Sequence, residues 1–180
     1  MSAESFLDLA INMLQDLKNT QLSGIKKAGA LVADSFQSGG ILHIFGTGHS
    51  HMIAEEAYSR AGGVIPVDPM LEGSMMLHEG YGKSSALERL PGIAALKLEG
   101  VPVRACPTST LTGVTILWSI LAEALGILVS RGEVPPVIMS GNLDEAADWN
   151  RKLRLAAAEK FGERVPSIRT ASAKAKGMER

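Results

Sequence analysis

An apolar run ending at Phe45 breaks into Gly46-Thr47-Gly48-His49-Ser50-His51, and Glu55 and Glu56 follow shortly after. Three readings fit those residue types. Glycines between a strand and a helix bring backbone N–H groups close to a ligand, and with a hydroxyl such as Ser50 they can hold a phosphate. Imidazoles at His49 and His51, with Glu55 and the more distant His78, are of the type that ligates a metal for hydrolysis. In the third reading the glycines serve only a tight turn and the hydroxyls only cap a helix. The spacing is not that of a dinucleotide site, because His51 stands where the third glycine of G-x-G-x-x-G would be, and no P-loop Gly-Lys-Ser/Thr is present. On a helix His49 and His51 diverge, which weakens the metal reading, and no metal site is assigned. Glu55 and Glu56 point about 100° apart and make no natural acid–base pair.

A second hydroxyl cluster, Thr108, Ser109 and Thr110, opens a long apolar segment. Two helix starts at the carboxyl edge of one parallel sheet could grip one phosphate between them; the plainer alternative is helix capping. Lys83 and Arg104 could pair a phosphate or be solvated surface charges.

The elements needed to position these residues can be read from periodicity. Phe6, Leu9, Met13 and Leu17 recur at helical steps, and Leu22, Ile25, Gly29, Val32 and Phe36 repeat the pattern until Ser38-Gly39-Gly40, which predicts two helices before the first strand. Ile41 to Phe45 reads as a buried parallel strand, His49 to Ala61 as a helix, and Gly62 to Pro69 as a glycine stop and a second strand, together a βαβ unit. Met70 to Leu90 reads as helical turns and loop, with Ser84-Ser85-Ala86-Leu87 opening a capped helix. Val101 to Ala105 predicts a third strand and Glu133 to Ser140 a fourth, with a helix from the hydroxyl cluster to Leu128 between them. That helix is apolar on nearly all sides and is expected in the middle of a layer. Leu143 to Phe161 predicts a last amphipathic helix. Residues 1–162 form one expected domain, and 163–180, with five basic and two acidic residues, a disordered basic tail.

Composition narrows the partners. Eighteen Lys and Arg against nineteen Asp and Glu give a net charge of −1, without the basic excess of a nucleic-acid binder. Cys106 alone forms no internal disulfide and suits a reducing compartment. Met1 to Leu14 shows no export signal, so a cytoplasmic location is expected. Leu111 to Val129 is borderline for a membrane span, but Glu123 would be costly in lipid, so no membrane partner is expected.

The stretches "GTGHSHMIAEEAYSRAGGVIPVDPMLEGSMMLHEG" and "PTSTLTGVTILWSILAEAL" resemble the SIS (sugar isomerase) domain superfamily, most closely an uncharacterised branch related to phosphoheptose isomerase. The resemblance reaches to about Leu153. It implies a three-layer αβα sandwich with a Rossmann-like parallel sheet, in which Gly46, Thr47, Gly48, Ser50, Thr108, Ser109 and Thr110 bind the phosphate of a phosphosugar. His49 stands at the lysine position of the related arabinose-5-phosphate isomerases, and His78 at their downstream histidine. Aldose–ketose isomerisation moves a proton between neighbouring carbons, for which His78 and Glu79 are the candidates, with His49 as a phosphate contact or electrophile. No cofactor is implied. The resemblance also implies association into a homodimer or higher oligomer. This chain departs from it by passing from "LERLPGIAA" almost directly to "LKLEGVPVRACPTST", so a central strand-helix-strand segment is missing and the number of strands is reduced. That leaves a non-catalytic phosphosugar sensor as the alternative to an isomerase, and a metal-dependent hydrolase using His49, His51 and His78 as a lesser one.

Overall fold

The computed structural model describes residues 3–87 and 109–164. Ala3–Gln37 (α1) is one continuous helix of 35 residues rather than the two predicted. Nothing between Leu17 and Leu22 breaks it: the segment holds no proline, and Gly24, whose surroundings are open, costs a helix only about 1 kcal/mol. The weak apolar pattern in that segment marks a change of environment along the helix. Buried residues concentrate in its second half at Ile25, Gly29, Ala33 and Phe36, whereas Leu7, Leu9 and Ile11 in the first half are exposed. The helix stops at Gly39, which has φ +77°, as the glycine pair predicted.

Ser109–Ser130 (α4, after α2 and α3 below) is the partner of α1. Gly29 packs against Ile120 and Glu123, so closely that a Cβ there would stand 2.6 Å from that of Glu123. Further on, Arg131 bridges to Asp34 and Gln37, each at 2.7 Å. The contacts advance in step, so the two helices run in the same direction. By length and composition alone Leu111–Ser130 could cross a membrane. In this fold Leu117, Leu121, Ala124 and Leu128, one stripe at helical spacing, are buried together with Ala33 and Phe36 of α1. The expectation of a helix covered on all sides is corrected: Ala122, Gly126 and Val129 are exposed.

Leu42–Phe45 (β1) and Val67–Met70 (β2) form a two-stranded parallel sheet, with His43 opposite Asp68 and Phe45 opposite Met70. His51–Ala57 (α2) joins them, ending well before Ala61 because Ser59 turns left-handed at φ +49°. Leu42, Ile44 and Val67 face the α1–α4 core. Ile41 and Ile65 pack instead with Leu153, Ala157 and Phe161 of Ala146–Phe161 (α5), the predicted last helix. The described residues are thus α/β, as expected, with a two-stranded parallel sheet.

The fourth predicted strand does not form. Pro135 and Pro136 have no N–H to give a ladder, and only Val137 makes a bridge, antiparallel, to Val64. The segment is held by backbone bonds to the residues before β2, Gly62 N–H to the Ile138 carbonyl at 2.8 Å, Ile138 N–H to the Gly63 carbonyl and Ile65 N–H to the Pro136 carbonyl at 2.9 Å. It is also held from α5, where Trp149 Nε1 donates to the Val137 carbonyl and the Asn150 amide bonds both backbone groups of Met139, each at 2.9 Å. Tyr81–Leu87 (α3) begins before the predicted Ser84 cap, and the third predicted strand, Val101 to Ala105, lies outside the described residues. A last helical turn, Gly162–Arg164, is fastened by Arg164 donating to the Gly39 carbonyl at 2.8 Å; the tail beyond it is outside the described residues.

Leu121 is fully buried and Leu155 is 57% exposed. Leu121→Ala is therefore expected to cost about 2–5 kcal/mol of stability, and Leu155→Ala less than about 0.5 kcal/mol, measured as shifts in urea midpoint at constant slope.

Candidate functional site

The loop after β1 is set by backbone space. At Gly46 a Cβ would run into the carbonyl of Ser50 and stand 2.8 Å from the His51 nitrogen, so no other residue fits without moving the turn. Gly48 has φ +51°, the left-handed region that glycine enters without strain. Between them Thr47 is extended and accepts from the Ser50 N–H at 2.9 Å, closing a 3₁₀ turn, Gly48–Ser50, that leads into α2. The helix expected from His49 thus starts at His51 and has seven residues, too short for its dipole to be the main attraction for an anion. What the turn presents at the carboxyl end of β1 is its own backbone together with His49 and Ser50, both exposed.

The start of α4 packs on α2, the helix that follows this turn: a Cβ at Gly113 would stand 2.4 Å from Ile53 Cδ1. Ser109 and Thr110 are the first residues of α4, as the hydroxyl cluster predicted; their side chains and all of Thr108 fall outside the described residues.

His78 and Glu79 sit on a second short turn, Leu77–Glu79, reached through another at Gly73–Met75. Ser84 is the residue that pins this region. Buried in α3, not capping it, its hydroxyl donates to the Met75 carbonyl at 2.8 Å. Both His78 and Glu79 are exposed, and Glu79 lies 3.9 Å from Lys83. Glu72 starts the first turn by accepting from the Ser74 hydroxyl at 2.7 Å and its N–H at 3.3 Å, and these bonds hold its carboxyl below the usual range.

The link between loop and second turn is a residue that sequence reasoning assigned only to the hydrolase alternative. His51 is 8% exposed, its Nδ1 bonds the Gly48 carbonyl, its Nε2 lies 3.7 Å from Glu55, and its ring meets that of His78 edge to face at 6.1 Å. Those contacts bring His51, Glu55 and His78 together, yet no three His, Cys, Asp or Glu among the described residues form a group able to hold a metal ion. The signal for His51 was its place, three residues after Gly48 on the inner side of a helix start. A second pair was also missed: His43 Nδ1 and Asp68 are 2.9 Å apart across the strands, on the sheet face away from the α1–α4 core. It follows from the β1–β2 register alone.

A cavity of about 580 Å³ lies elsewhere. It is lined by Phe36, Leu128, Trp149, Leu153 and Phe161, and its charged groups are already matched, Lys160 with Glu133 at 3.5 Å and Lys152 with Asp148 at 2.7 Å. Size alone does not make it the site: its charged groups are already paired, whereas the glycine turn leaves His49 and Ser50 exposed.

The sequence pattern of the SIS domain matches residues 5–108, more than half of the chain and the whole of the loop region. The chain belongs to the SIS domain family. A UPF0309 protein of Listeria innocua is 28% identical over 244 aligned residues, spanning 91% of this chain and 97% of the relative. UPF0309 proteins of Halalkalibacterium halodurans and a Geobacillus strain are 28% and 29% identical, spanning 91% and 84% of this chain and 96% and 92% of the relatives. These alignments also contain positions that no residue of this chain fills. Since 91% of 180 residues is about 164, about 80 of the 244 positions aligned with the Listeria protein face no residue here. The Geobacillus alignment gives the same figure, 84% of 180 being about 151 against 232 positions.

Gly46→Ala is expected to cost about 1–3 kcal/mol by displacing the turn, whereas Gly82→Ala, with open space around it in α3, should be neutral or gain up to about 1 kcal/mol; thermal unfolding of both variants checks this. Because the Glu72 carboxyl is held low in the fold, its support of the turn is present above the ordinary carboxylate range and lost as pH falls through the lowered value. Ser74→Ala, which removes the hydroxyl bond and keeps the backbone one, should move the Glu72 titration, followed by NMR, upward toward that ordinary range.

Proposed function

We propose that this SIS-domain chain binds a phosphorylated sugar at the Gly46–Ser50 turn, with the start of α4 contributing from beside it. The observation that carries the reading is the turn itself: Gly46 excludes any side chain and Gly48 is left-handed, so that backbone and Ser50 hydroxyl stand open at the carboxyl end of a parallel strand. The phosphate oxygens accept hydrogen bonds from these donors, with His49 as a further contact. The sugar extends toward His78, which the ring contact with His51 holds on the same side as the turn. Isomerisation would proceed by His78 or Glu79 taking the proton from the carbon next to the carbonyl and returning it to the neighbour.

One observation favours a binding role over efficient turnover. His78 and Glu79 are both exposed, in a chain lacking about 80 positions present in its relatives. Proton transfer needs the reacting atoms held in register and shielded from water, whereas gripping a phosphate needs only the turn. The chain is thus read as a phosphosugar-binding domain with little or no isomerase activity, a sensor rather than a catalyst.

The same proposal makes the architecture a reduced three-layer sandwich, with α5 against Ile41 and Ile65 as the second helical layer. It makes the protein a cytoplasmic homodimer or higher oligomer, supported by the exposed Leu7, Leu9 and Ile11 on the first half of α1.

In a thermal-shift screen of sugar phosphates, a ligand at a hundred times its dissociation constant should add about 2.7 kcal/mol of stability. Ser50→Ala should weaken binding of the best ligand roughly 10- to 100-fold, as expected for one hydrogen bond to a charged group, with an unchanged melting temperature in the absence of ligand. Turnover of that sugar phosphate should be at or near background. Equal binding by Ser50→Ala would reduce the loop to a turn, and brisk turnover would remove the sensor reading.

A further inference from the structure

We infer that His51 is the positioning residue of the phosphate-binding turn, aiming the His49 N–H at the ligand by holding the Gly48 carbonyl, an inference that rests on the function proposed above. His51 is nearly buried, while His49 and His78 on either side of it are exposed. A carbonyl oxygen can only accept, so the Nδ1 that bonds Gly48 carries the hydrogen and Nε2 faces Glu55. The peptide between Gly48 and His49 is planar and trans, so its C=O and N–H point in opposite directions. Drawing the Gly48 carbonyl inward onto His51 therefore directs the His49 N–H away from the protein interior, to the open side of the turn. The left-handed Gly48 permits that rotation, and His51 selects it. The edge-to-face contact with His78 lets the same imidazole set the distance between the phosphate turn and the proposed proton-transfer residue.

Two conservative variants separate this role from simple packing. Asparagine places an amide N–H where Nδ1 stands, whereas glutamine reaches toward Nε2 and leaves the Gly48 carbonyl without its donor. Titrations use inorganic phosphate and glucose 6-phosphate, with calorimetry for affinity and the His49 amide resonance for the donor itself. The expected result is that wild type and His51→Asn both show a downfield shift of the His49 amide on adding phosphate. His51→Asn should bind within about threefold of wild type, and His51→Gln should bind at least roughly tenfold more weakly with no such shift, the loss of one hydrogen bond to a charged group. The two variants should melt at similar temperatures, so packing does not account for the difference. If His51→Gln binds and shifts as wild type does, or if the two variants lose affinity equally, the inference is overturned while the phosphate site stands. If wild type binds neither probe, the reading of the loop falls, and the inference with it.

Discussion

The close approach of α1 and α4 is the constraint on which the rest of the molecule depends. Gly29 allows Glu123 and Ile120 to come within van der Waals contact, and Arg131 clamps the far ends through Asp34 and Gln37. The apolar stripe so formed is the surface on which Leu42, Ile44 and Val67 rest. A two-stranded sheet on its own is at best marginal in water. Here the helix pair supplies most of the burial, so the carboxyl ends of both strands, and the turns that follow them, are fixed by helix–helix packing more than by the sheet.

From those strand ends the site is built by short-range rules. Gly46 must be glycine because the chain folds back on itself between Ser50 and His51, and the Gly48 conformation follows from closing that turn. The imidazole of His51 then fills the space under the turn and touches both Glu55 and His78. The second turn depends on more distant support, since Met75 is held by Ser84 from α3. The turn proposed for binding is locally determined and the one proposed for proton transfer is remotely held, so the two respond differently to loss of chain elsewhere in the fold.

The sequence was most legible where one period dominated. The second half of α1, α4, α5 and β1 show clear apolar spacing, and the glycine stop after α1 was visible in the paired glycines. Legibility failed where tertiary context overrode local signals. The first half of α1 looked like a separate helix because its apolar residues have no common partner surface; Leu7, Leu9 and Ile11 remain exposed. Pro135 and Pro136 kept an apolar run from becoming a strand, a consequence of proline chemistry that the apolar pattern obscured. At the site, Gly46 and Gly48 could be read as turn residues, but His51 could not be separated from His49 without knowing which side of the helix start faces inward. The His43–Asp68 contact required the strand register, which no single strand carries in its own sequence.

The about 80 positions absent relative to the UPF0309 proteins bear on how binding and catalysis divide in this fold. Phe45 and Met70, opposite each other at the ends of the strands, are 49% and 45% exposed, and both sit on the face that carries His43 and Asp68. Apolar side chains at the carboxyl end of a parallel sheet are ordinarily covered, because such sheets are buried on both faces. Their exposure lies next to the turn that begins at Gly46, so a sugar bound there by its phosphate would extend over a surface open to water. Water there screens charge development and competes for each proton, and both effects act on a transition state more than on a bound phosphate already paired with backbone donors. On the proposed reading the grip would survive in a shortened SIS domain while the chemistry faded, because the first depends on a few adjacent residues and the second on an enclosure of the reacting atoms.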